Sequence, residues 1–252
     1  IFNFQSFFSR RGYNLDKSIF KKNFLENNKK IIWGPNEIIN IKNNTILPIS
    51  SSLEIKPGTK ILIDKKKAII FHGKVSAIGS KNKPIIFTSS KKNENFGAII
   101  FNHNSVNGSM FKNVIVEKGK DFSWRGRLYT GALNVYNSSL QIDDSIFRYN
   151  AGDDAINIKY SKSIIKNSEL YNNYFDAIDS DFSNIELFNS TFKDNGNDGV
   201  DLNNSIAYIE NNKIISSGDK GISVGEESYV FLKKNTISKN NIGLANKDES
   251  YV

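Results

Sequence analysis

Four aspartates fall into two pairs at an interval of 22 residues, Asp176 with Asp198 and Asp179 with Asp201. Like charges brought into register repel, and a carboxylate cluster persists when a cation holds it, when some members keep a proton, or when solvent screens them. Calcium suits such a cluster because it accepts about six to eight oxygen ligands in flexible geometry. Asp176, Asp179, Asp198 and Asp201 are therefore the candidate metal ligands, and Ca2+ the candidate cofactor. The competing reading is that outward Asp and Asn keep a sheet soluble and end its strands in side-chain turns.

A second group lies in the run Phe122-Ser123-Trp124-Arg125-Gly126-Arg127-Leu128-Tyr129. Trp124 and Tyr129 are rings on which a sugar could stack, and Arg125 and Arg127 are forks that could clamp a carboxylate or sulfate. The alternative is that this segment folds its aromatics back onto the protein wall.

Several chemistries are excluded or weakened by what is scarce. Cysteine is absent, which removes disulfides and thiolates, and the two histidines, His72 and His103, lie far from the aspartates. A histidine-rich metal site or a histidine-based triad is thus hard to assemble. The formal charge of +8 is unevenly spread: residues 151 to 203 hold ten acids against four lysines, so that segment is near −6 and the remainder near +14. The basic remainder has only Lys65-Lys66-Lys67 as a run and no aromatic interleaving, so no nucleic-acid partner is expected. No apolar run reaches the roughly 20 residues that span a bilayer, so no membrane insertion is expected.

The elements that would position these residues follow from a repeat. Ala155-Ile156, Ala177-Ile178, Gly199-Val200, Gly221-Ile222 and Gly243-Leu244 each follow the last by 22 residues. Such a period, Asn/Gly-rich with short alternating apolar runs, is that of a β-solenoid whose coils stack strand above strand. Ile142, Ile165, Leu187, Ile209 and Phe231 mark a second strand, and Phe147, Leu170, Phe192, Ile214 and Ile237 a third, giving three strands per coil. In the first strand Ile156, Ile178, Val200 and Ile222 point inward. Asn157, Asp179, Asp201 and Ser223 then point out. Equivalent positions stack about 4.8 Å apart, and Asn167, Asn189 and Asn211 are expected to form a structural ladder.

The expected organisation is a leader over residues 1–44 and a β-helix over residues 45–252. The leader holds a short capping helix, with Asp16 as N-cap and Ile19, Phe20 and Phe24 on one side. Ala98-Ile99 and Ala132-Leu133 are 34 residues apart, which predicts an inserted loop at about residues 118–130.

The coil text Gly152-Asp153-Asp154-Ala155-Ile156, Asn197-Asp198-Gly199-Val200-Asp201-Leu202 and Gly218-Asp219-Lys220-Gly221-Ile222 resembles the right-handed parallel β-helix repeats of the pectin-lyase-like superfamily. It also resembles β-helix segments of bacterial surface proteins that carry spore-coat-kinase-like modules. The resemblance implies a secreted or cell-surface module, structural or carbohydrate-contacting, with a polysaccharide or cell-envelope partner and other domains in the parent chain. One family of calcium-dependent pectate lyases supplies a closer match, since Asp176, Asp198 and Asp201 fit its calcium pattern. Asn197 replaces one acid there, and Ser223 stands where its catalytic lysine belongs. The alternatives implied are therefore a calcium-dependent lyase or epimerase on uronic-acid polymers and, with Asp198 and Asp219 in register but the remaining motif broken, a glycoside hydrolase.

Overall fold

The computed structural model describes residues 29–252; the capping helix expected around Asp16, Ile19, Phe20 and Phe24 lies outside them. Apart from a 3-10 turn at Asn104–Val106, the regular elements of this span are all β-strands. They form three nine-stranded parallel sheets that the chain visits in rotation. Sheet A runs from Thr45–Leu47 to Ile242–Asn246, sheet B from Lys30–Trp33 to Tyr229–Lys233, and sheet C from Ile38–Ile41 to Thr236–Ser238. Each circuit climbs one strand spacing, about 4.8 Å, so the molecule is a parallel β-solenoid of about nine turns with three strands per coil.

The interior is filled by the alternation expected of half-buried strands. Leu133, Ile156, Ile178, Val200 and Ile222 stack in sheet A, Ile142, Ile165, Leu187 and Ile209 in sheet B, and Phe147, Leu170, Phe192 and Ile214 in sheet C. The small residue ahead of each sheet A isoleucine or valine sits at an inward corner. A Cβ on Gly199 would lie 2.6 Å from both Gly221 O and Ile214 Cγ2, so a larger side chain there would force the coils apart.

Four expectations are corrected. The solenoid begins before residue 45, because Lys30–Trp33 pairs with Ser52–Ile55 in sheet B and Ile38–Ile41 with Lys60–Ile63 in sheet C; the exposed Ile32 and Ile38 on their outer faces hide the alternation. Phe231 does not continue the inward row. Leu232 is the partner of Ile209, one position later, and Phe231 points to solvent. The extra residues of the long coil are divided between a two-stranded antiparallel hairpin, Phe122–Trp124 with Arg127–Tyr129, and the 3-10 turn at Asn104–Val106.

The fourth correction concerns the ladders. Asn167, Asn189 and Asn211 occupy the left-handed turn between sheets B and C, with φ of 52°, 50° and 58°. Asn211 does donate to Asn189 Oδ1 at 2.7 Å, but Asn167 turns to Asp143 Oδ1 instead. The continuous buried ladder is one residue further on. Ser145 N–H donates to Ser168 Oγ, Ser168 N–H to Ser190 Oγ, Ser190 N–H to Asn212 Oδ1 and Asn212 N–H to Asn235 Oδ1, at 2.9 to 3.1 Å. Like ladders run through Ser138, Ser161, Ser183, Ser205, Ser228 and Ser250 at the turn from sheet A to sheet B, and through Asn150, Asn173 and Asn195 at the turn from C to A. A buried turn with no helix or hairpin partner must satisfy its amides somehow, and here the side chain one coil away does so.

Candidate functional site

Parallel register brings the aspartates of sheet A together. Asn134, Asn157, Asp179, Asp201 and Ser223 are successive partners in one outward column. Beside it, Asp154 pairs with Asp176, and Asp176 Oδ1 accepts the Asp198 backbone N–H at 2.6 Å. All four expected acids thus lie on one face, joined by Asp154 and Asn157, which share the same spacing.

Amides separate the carboxylates. Asn157 Nδ2 donates to Asp154 Oδ2 at 3.1 Å and to Asp179 Oδ2 at 2.6 Å. Asn197 Nδ2 donates to Asp176 Oδ1 at 2.8 Å, and Lys220 N–H to Asp198 Oδ1 at 2.8 Å. Asp179 Oδ1, Asp201 Oδ1, Asn157 Oδ1 and Ser223 Oγ are buried in the column without a hydrogen-bond partner.

Burial governs the protonation of this face. It pushes Asp176 up to about 7 against the hydrogen bonds from Asp198 and Asn197, with the Asp198 and Asp201 charges adding to the rise. Asp179 is raised by burial and then by Asp154, while Asp154 is raised by burial and by the acids beside it; the two titrate as a linked pair. Burial also raises Asp198, opposed by Lys220. This face therefore holds protons at a pH where ordinary aspartates are ionised.

The neighbouring lysines are charge partners. Lys220 bonds Asp219 and lies 3.7 Å from Asp198 Oδ1, and the Asp219 bond raises its pKa. Burial works against the charge on Lys159, but its 2.6 Å ion pair with Asp181 outweighs that and raises the pKa. Neither is prepared to accept a proton near neutrality.

Oxygen donors with orphaned atoms suit a hard cation. As the side chains stand, however, no three Asp, Glu or His groups among the described residues converge as a metal shell.

The hairpin lies over the coils of sheet A just N-terminal to these acids, with Thr130 at its end hydrogen-bonded to Asp154. Tyr129 is 3% exposed and its hydroxyl accepts from Asn102 Nδ2 at 3.1 Å, so this ring fastens the hairpin to the wall. It meets Tyr136 at 5.0 Å, and Phe122 and Trp124 stack against each other over the same apolar patch. Arg125 lies over the Trp124 ring and Arg127 over the Tyr136 ring, at 5.5 and 5.7 Å. The structure therefore brings Trp124, Arg125, Arg127 and Tyr129 together, with the arginines outermost. Arg125 also edges a groove with His72, His103, Asn102 and Asn137; this groove had no signal in the sequence, because its residues come from separate coils.

A profile described as "Right handed beta helix region" matches residues 130–252. No curated protein matches the sequence. Among solved structures, pectate lyase Pel9A aligns with a TM-score of 0.52 at 14% identity, over 87% of this chain and 68% of that one. The periplasmic alginate epimerase AlgG aligns with a TM-score of 0.45 at 11% identity, over 87% and 76%. The A-module of the Azotobacter vinelandii mannuronan C-5 epimerase AlgE6 gives 0.44 at 12%, over 90% and 71%. Register, profile and the pectate lyase superposition agree: this chain is a right-handed parallel β-helix with a pectin-lyase-like fold.

Proposed function

We propose that the chain is a β-helix module of a secreted or cell-surface protein that contacts carbohydrate without cleaving it, alongside other modules of the same parent. One observation carries the non-catalytic part. The lysines beside the sheet A acids, Lys159 and Lys220, are both ion-paired and held in the charged form, so neither can serve as the lysine base that abstracts a proton. Pectate lyase Pel9A shares the fold, which makes a uronate polymer the first ligand class to test. The check is incubation with polygalacturonate and with alginate, with and without calcium. Unsaturated ends should not accumulate and the uronate composition should not change, while retardation in a polygalacturonate gel should persist; unsaturated ends would reject the reading.

A second reading, a calcium-dependent lyase or epimerase, is favoured by the unpartnered oxygens of Asp179 and Asp201. In it Asp176, Asp179, Asp198 and Asp201 hold calcium, which would offset the charge of a substrate carboxylate. Calorimetric titration of the chelator-stripped chain, repeated on Asp198→Ala/Asp201→Ala, checks the metal half. Binding lost in the variant supports it, and no binding in the parent removes it.

A further inference from the structure

Where sheet A turns into sheet B, successive coils place Asn137, Tyr160, Phe182 and Asn204 in the left-handed region, at φ of 47°, 52°, 49° and 48°. Asparagine enters that region readily, whereas a bulky ring does so at a cost of about 1 kcal/mol or more. Since Asn serves in the coils on either side, the turn does not require an aromatic. Nor does the core. Tyr160 is 55% and Phe182 45% exposed, and the rings stack with centroids 5.1 Å apart and planes 13° apart.

Clefts flank this stack. One is lined by Asn104, Asn107, Asn137, Tyr160, Lys162 and Phe182; another by Phe182, Asn204, Ile206, Glu227 and Tyr229. The first shares Asn104 and Asn137 with the groove that Arg125, His72 and His103 line. The three join into one trough along the solenoid edge, with amides on its walls, a ring stack at its middle and cationic groups toward the N-terminal coils.

We propose that this trough binds a linear acidic glycan. A sugar ring can lay an apolar C–H face on the outer face of the stack, on Tyr160 or on Phe182, while the asparagine amides meet hydroxyl groups and Arg125 meets a carboxylate. The inference rests on the carbohydrate-contacting reading and places the contact at the edge of sheet A, beside the column of Asp179 and Asp201 and not on it.

The test is calorimetric titration of the chain with a galacturonate oligomer, with a neutral cellulose-derived oligomer as the second probe. Tyr160→Asn/Phe182→Asn copies the adjacent coils, so its melting temperature should stay near the parent's while its affinity for galacturonate falls about tenfold. Tyr149→Asn, which removes another exposed left-handed aromatic at the turn from sheet C to sheet A, should leave affinity unchanged. Equal affinity in the double variant and the parent overturns the trough while leaving carbohydrate contact standing. A parent that binds the neutral oligomer as tightly overturns the acidic ligand, and a parent that binds neither probe overturns both this inference and the reading beneath it.

Discussion

One outward column of sheet A changes character halfway along the solenoid. In the N-terminal coils it reads Ile46, Ile70 and Ile100; from there it continues as Asn134, Asn157, Asp179, Asp201 and Ser223. The apolar half is roofed by the hairpin through Tyr129, Phe122 and Trp124. Among the described residues the polar half has no such roof, and its side chains bury one another through amide bridges and retained protons. The same backbone position thus tolerates two solutions, and the covering segment decides which side chains fit. Burial alone does not make a core.

The sharpest way to break the contrast is to put the chemistry of one half into the other. Ile100→Asp would set a carboxylate beneath the hairpin with no amide column to receive it, and should cost about 3 kcal/mol or more in denaturant unfolding. Tyr129→Ala should cost slightly less, about 3 kcal/mol, and should shift Trp124 fluorescence to the red as the hairpin lifts.

In the polar half the sign reverses. Asp179 and Asp176 have folded pKa values above their unfolded ones, so the unfolded chain loses their protons first as pH rises. Their contribution to stability therefore falls with pH from the ordinary carboxylate range up through neutrality. Asp179→Asn, which copies Asn157 one coil earlier, should raise stability by about 1–2 kcal/mol near pH 8 and flatten the fall in melting temperature between about pH 5 and pH 8. A steeper fall in the variant would mean that the ionised column is favourable. The smallest effect belongs to the ladders common to both halves: Ser190→Ala should cost about 1 kcal/mol by removing one acceptor from a buried turn amide.

How much of this was readable in the sequence follows from what each feature depends on. The inward rows and the alignment of Asp179 over Asp201 depend only on the repeat and on alternation, and both are printed in the text. The ladder of Ser168, Ser190 and Asn212 is masked by the constant Asn167, Asn189 and Asn211 beside it, because a ladder needs only an acceptor at a constant place and not a constant residue type. The strands at Lys30–Trp33 and Ile38–Ile41 are not legible, because exposed Ile32 and Ile38 break their alternation ahead of the regular repeat. Tyr129 reads as a possible sugar platform until the hairpin's pairing turns it inward. Tyr160 and Phe182 carried no signal, because a left-handed turn filled by an aromatic looks in sequence like any strand end.

The ladders also have a direction. At each turn the backbone N–H of one coil is met by the side chain of the coil that follows, as Ser161 N–H is by Ser183 and Ser183 N–H by Ser205. A coil is finished by its successor. Damage to a ladder residue is therefore felt one coil toward the N-terminus of where the substitution lies, and in a chain assembled from its N-terminal end each new circuit seals the one before it.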